Sequence, residues 1–94
     1  KIQEEMAAVE KLKESIAKEM GTYGKNEVKI AVESGAAESL LLISEMTKES
    51  EGLELLEMAL KNRTEVIEIS SHHHGGEMLI GLGGVAVVLR YKLT

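Results

Sequence analysis

"SLLLIS", residues 39–44, is the stretch on which the fold turns. Leu40, Leu41, Leu42 and Ile43 form an unbroken apolar run closed by a serine at each end. A half-buried strand alternates polar and apolar, and an amphipathic helix repeats every three or four residues. A short continuous run bounded by polar residues reads instead as a strand covered on both faces. Such a strand needs helices on either side, and the flanking sequence offers them. Upstream, residues 26–34 read as a helix, with Asn26 placed to cap the free N–H groups and Gly35 to close it. Downstream, "ESEGLELLEMALKN" (49–62) carries Leu53, Leu56, Leu60 and Met58 at helical spacing despite Gly52. "EVIEIS" (65–70) reads as a second strand, "GGEMLIGLG" (75–83) as a short helix and "GVAVVLRYKL" (84–93) as a third strand. Helices alternating with strands predict an α/β fold: a three-layer α-β-α sandwich around a small, mostly parallel sheet with right-handed crossovers. A further short strand near Gly21–Tyr23 has no pattern clear enough to read.

Ahead of this unit lie Ile2, Met6, Val9, Leu12, Ile16 and Met20, spaced 4, 3, 3, 4 and 4. That is one face of a helix, with Gly21 as its stop signal. The stripe suits a helix packed on its own domain or a connector from a preceding middle domain, and both can hold; residues 1–21 are taken as the connector helix and residues 22–94 as the α/β domain.

Composition narrows the function classes. Hydrophobic content is 44 % and charged content 29 %, with two Tyr and no Phe or Trp, so the core must be aliphatic. The absence of Cys removes disulfides, thiolate metal sites and cysteine nucleophiles. Sixteen acidic residues against eleven basic ones give a net charge of −5, opposite to a domain that binds nucleic acid chiefly through phosphates. No apolar run approaches the roughly 20 residues of a membrane span.

"SSHHHGGEM" (70–78) holds all three histidines. His73 and Glu77, four apart, could meet one metal ion from a helix, but zinc sites use three or four ligands and adjacent histidines face different ways. A polar loop between strand and helix is the preferred reading, with no metal and no other cofactor expected. Gly81, Gly83 and Gly84 follow a helix and precede a strand, the reverse of the dinucleotide-binding order. Ser44, Ser70 and Ser71 lack a strand-turn-helix elbow and an acid–histidine pair. No catalytic residue is assigned, and no enzyme is expected.

Two segments together resemble a known family. "YGKNEVKIAVESGAAESLLLIS" (23–44) and "VIEISSHHHGGEMLIGLGGVAVVLRYKL" (66–93) are similar to the C-terminal domain of archaeal and eukaryotic Pelota, the ribosome-rescue paralogue of the class-1 peptide-chain release factors. The resemblance rests on Tyr23, Gly24, Ala31, Gly35 and Ala36, the strand Leu41 to Ser44, then Ser70, Ser71, His73, Gly76, Glu77, Leu79, Gly83, Gly84, Ala86, Leu89, Arg90 and Tyr91. Only His73 falls on a family histidine position, and Met78 replaces an expected glutamine. Release factors usually carry an inserted subdomain between the middle strands, for which residues 45–64 leave no room.

The resemblance implies the three-layer fold of kink-turn-binding ribosomal proteins and a cytoplasmic role in ribosome rescue, mRNA surveillance and no-go decay. The partners it implies are the stalled ribosome, an elongation-factor-1-alpha-type GTPase and the ribosome-recycling ATPase. Metal-dependent endonuclease activity credited to the family would belong to another domain. Candidate partner-binding residues are Ser70, Ser71, His73 and Glu77 in the loop, and Glu49 and Glu54 on the acidic helix. The alternative is kink-turn RNA binding. "GKNEVKIAVESG" (24–35) is similar to the helix start of kink-turn proteins at Gly24, Asn26, Glu27 and Gly35, with Lys29 one place before the family lysine position.

Overall fold

The computed structural model describes residues 1–93. Its elements are α1 (Ile2–Ala17), β1 (Gly21–Tyr23), α2 (Lys25–Glu33), β2 (Ala37–Ile43), a 3-10 helix (Ser44–Lys48), α3 (Ser50–Lys61), β3 (Glu65–Ile69), α4 (His74–Gly81) and β4 (Val85–Leu89). Helices α1 and α4 pack on one face of a four-stranded sheet, and α2 and α3 on the other. The three-layer α/β reading therefore holds, and every residue of β4 and all of β2 except Glu38 is buried.

The sheet is mixed, where the alternation of helices and strands predicted a mostly parallel one. Strand order is β1-β4-β2-β3; β2 and β3 run parallel, while β4 is antiparallel to both of its neighbours. The cause is the length of α4. Eight helical residues span about 12 Å, whereas seven-residue β2 spans about 23 Å. The connection cannot return the chain to the far end of the sheet. It ends beside the strand tops instead, where the Ile43 N–H donates to the Gly84 carbonyl at 2.9 Å. Gly83 and Gly84, at φ of 104° and 86°, then turn the chain down the middle of the sheet. The strand left open by the pattern is β1, pairing Thr22 with Val87.

Three details depart from the sequence reading. Helix α1 stops at Ala17, where Glu19 adopts a left-handed φ of 62°, rather than continuing to Gly21. Helix α2 starts at Lys25 with Gly24 in the cap position, so Asn26 is an exposed first-turn residue and makes no cap bond. In α3 the buried face is Gly52, Leu55 and Ala59, while Leu53 and Leu60 are 50 % and 76 % exposed. Small residues let α3 lie close against the layer beneath, so Leu56 and Met58 of the predicted stripe only flank the contact, partly buried against the core, and Leu53 and Leu60 miss it. The 3-10 helix was not anticipated, and its Met46 is buried between α3 and the glycine turn before β4.

Val9 and Leu12 of α1 are buried in the same core as Leu41, Val87 and Leu79. Helix α1 is thus packed on the sheet rather than merely beside it.

Candidate functional site

The loop from Ser70 to Glu77 leaves the end of β3 and enters α4. His73 is the N-cap of α4, with its ring Nδ1 accepting the Gly75 N–H at 3.1 Å. An accepting Nδ1 carries no proton, so Nε2 carries it and donates to the Glu5 carboxylate at 2.7 Å. The same Glu5 oxygen accepts the Ser70 N–H at 2.9 Å. One carboxylate from α1 therefore closes the open end of β3 and fixes the cap of α4, with Glu5 and His73 only 12 % and 10 % exposed.

The Ser70 N–H, followed by the His73 ring, holds the Glu5 carboxyl below its ordinary value of 4.5, outweighing the effect of burial. A carboxylate whose folded value is depressed stabilises the fold above its unfolded value and loses that contribution as pH falls through the folded one. We expect Glu5→Gln to flatten the acid limb of stability below about pH 4.5, read as urea midpoints against pH. At pH 7, Glu5→Ala should cost about 1–3 kcal/mol, because a buried N–H and a ring N–H lose their acceptor.

The other loop candidates differ in availability. Ser70 Oγ accepts the His72 N–H at 3.2 Å, and Ser71 Oγ donates to Glu45 at 2.9 Å. Glu45's own backbone N–H, then the Ser71 hydroxyl, lower its carboxyl from the ordinary value. Glu77 has no such contact. It is 73 % exposed in the first turn of α4, with His74 at 3.8 Å as a loose neighbour. His73 and Glu77, paired in the sequence reading, serve different contacts. No cluster of three or more His, Cys, Asp or Glu able to hold a metal occurs among the described residues.

Glu49 and Glu54 lie with α3, on the other side of the sheet from α4. They are not brought together with the loop. Glu54 instead lines a groove with Lys25, Asn26, Lys29 and Glu51, at the start of α2. There Lys25 Nζ meets Glu51 at 2.8 Å. The hydrogen bond lowers the Glu51 carboxyl and raises the Lys25 ammonium. Asn26, Glu27 and Lys29 are all exposed.

Arg90 is a structural residue, since its guanidinium donates to the Ala37, Arg63 and Asn62 carbonyls at 3.2, 3.0 and 3.4 Å. It clamps the end of β4 to the α3–β3 turn, where Arg63 itself is left-handed at φ 57°. Glu5 was missed by sequence reasoning, which counted only the apolar residues on the buried face of α1. Its signal was its spacing of 4, 3 and 4 with Val9, Leu12 and Ile16, a carboxylate on the buried face.

Residues 2–93 match the family model described as eRF1 domain 3. The chain belongs to the eRF1 domain 3 family. Within that family, the Pelota homologue of Pyrococcus horikoshii is 44 % identical over 99 % of this chain and 27 % of its own length. That of Methanobrevibacter smithii is 36 % identical over the whole chain and 27 % of its own length. The chain thus spans about a quarter of the curated Pelota relatives it matches.

Among solved structures, Thermoplasma acidophilum Pelota superimposes with a TM-score of 0.88 at 28 % identity, covering 93 % of this chain and 28 % of that one. Ribosome-bound archaeal Pelota, with ABCE1, gives 0.84 at 39 % identity, over 99 % of this chain and 28 % of that one. Saccharomyces cerevisiae Dom34, a termination-like factor of RNA quality control that interacts with Hbs1, gives 0.87 at 28 % identity, over 97 % and 28 %. The eRF1 domain 3 fold of this chain is therefore the Pelota C-terminal form, as the residues from Tyr23 to Tyr91 implied.

Proposed function

We propose that this eRF1 domain 3 is the non-catalytic docking domain of a cytoplasmic, Pelota-like ribosome-rescue factor. It would hold an elongation-factor-1-alpha-type GTPase on the way to a stalled ribosome and meet the recycling ATPase afterwards. Helix α1 would then be both a layer of this core and the connector from the preceding domain. The observation carrying this reading is similarity along the whole chain to Pelota homologues, one solved on the ribosome with ABCE1 and one known to interact with Hbs1.

Within the loop, Glu77 is the residue best placed to meet a partner, since its side chain is exposed and has no strong internal contact. The buried His73–Glu5 pair would hold the helix start rigid beneath it. We expect Glu77→Lys to weaken GTPase binding at least tenfold while leaving the melting temperature within about 2 °C, as a surface change should. Unaltered binding by Glu77→Lys, measured by calorimetry, would move the docking face elsewhere.

Kink-turn RNA binding is the second reading, favoured by the exposed cluster of Asn26, Glu27 and Lys29 in one stretch of α2. Glu51 and Glu54 line the same groove and would repel phosphates, which keeps this reading behind protein docking. It predicts binding that is lost in Asn26→Ala or Glu27→Ala and falls steeply with salt.

A further inference from the structure

We propose that the outer edge of β3 is a strand-addition site for an extended, basic segment of a partner protein. This surface lies away from Glu77, and the inference does not depend on the identity of the GTPase. β3 ends the sheet, and its pairing with β2 determines which backbone groups remain over. Along a strand, the N–H and C=O of one residue point to the same side, and alternate residues point to opposite sides. The Ile69 carbonyl faces β2, where Ser44 Oγ donates to it at 3.3 Å. The outward set is therefore Val66, Glu68 and Ser70. Glu5 takes the Ser70 N–H, and no internal hydrogen bond reaches the outward groups of Val66 and Glu68 among the described residues.

These groups open onto a groove of about 490 Å³ between β3 and α1. Its apolar part includes the half-buried Val66 and Ile67, and its rim carries Glu4, Glu65 and Glu68 against a single cation, Lys1. An extended segment of about five residues matches the length of β3, roughly 17 Å. Main-chain bonds would supply affinity, and each face of the added strand would meet one apolar and one acidic residue, Ile67 with Glu65 on one side and Val66 with Glu68 on the other. The rim selects basic residues. A second copy of this chain is a poor occupant, because pairing β3 with itself crowds Glu65 and Glu68 of both copies onto one ladder. Charges on an edge strand also discourage such self-pairing.

The test titrates this chain with a labelled seven-residue peptide of alternating lysine and valine, while amide exchange is followed residue by residue. A glutamate–valine peptide and a peptoid carrying the same amines are the comparisons; the latter is equally basic but has no backbone N–H to donate along an edge. The expected result is saturable binding of the lysine–valine peptide alone, with exchange at Val66 and Glu68 slowed at least tenfold. The double variant Glu65→Lys, Glu68→Lys should weaken binding at least tenfold, and Val66→Pro, which removes one outward N–H while sparing the β2 ladder, should weaken it too. Absence of binding would overturn the proposal, as would equal binding of the peptoid. Protection that grows with protein concentration without peptide would assign the edge to a second copy and also overturn it.

Discussion

Gly76→Ala will destabilise the domain by about 3–5 kcal/mol, within the range reserved for severe backbone clashes. A methyl group at this position would lie 1.9 Å from the Ser70 carbonyl oxygen and 2.8 Å from the Ser71 Cα. Both are backbone atoms at the end of β3 and cannot swing aside as a flexible side chain would. Helix α4 must withdraw, carrying the His73 cap away from Glu5 and Leu79 out of the core. Alanine's better helix propensity returns only about 1 kcal/mol. Against a total stability of about 5–14 kcal/mol for a domain of this size, the loss is large. Two neighbours calibrate it. Gly81→Ala meets nothing within 4 Å and should be neutral or stabilising by up to about 1 kcal/mol. Gly75→Ala meets the His73 ring at 3.0 Å, and a ring can tilt, so its cost should fall between the two. Urea midpoints for the three variants test the ordering, and a Gly76→Ala midpoint equal to wild type would refute the close approach.

Gly52→Ala should be comparably severe, at about 3–4 kcal/mol net of the same helix gain. Its Cβ would fall 1.7 Å from the Met46 carbonyl oxygen and 2.6 Å from its carbon. Relief requires α3 or the 3-10 helix to shift, and Met46, only 7 % exposed, then leaves its position against Gly84. The effect should be local as well as global. Amide exchange across residues 44–48 should accelerate before the rest of the domain unfolds. A variant with normal stability and unaltered exchange there would mean that α3 does not lie on the 3-10 helix.

These two glycines show where the sequence stopped being legible. The run from Leu40 to Ile43 announced a doubly covered strand because burial on both faces leaves no polar alternation to find. The strand direction was not announced, since it depends on whether the α4 connection is long enough to return across the sheet. Gly52 looked like an interruption in an apolar stripe and is instead the contact itself, so the buried face of α3 is rotated away from Leu53 and Leu60. Asn26 has the right chemistry for a cap, but Gly24, at φ 91°, makes the turn two residues earlier. In the histidine loop, His73 has both ring nitrogens engaged inside the fold. What His73 does was not legible, because its partner Glu5 lies 68 residues away and only the folded chain brings them together.

Docking of a translational GTPase, rather than RNA, is tested most directly by calorimetry. The chain is titrated with an archaeal elongation-factor-1-alpha-type GTPase bound to GTP, beside a parallel titration with a kink-turn RNA at physiological salt. A docking domain will show saturable binding to the GTPase that survives Asn26→Ala, and no comparable binding to the RNA. Tight, salt-sensitive RNA binding lost in Asn26→Ala, with no GTPase binding, would contradict it.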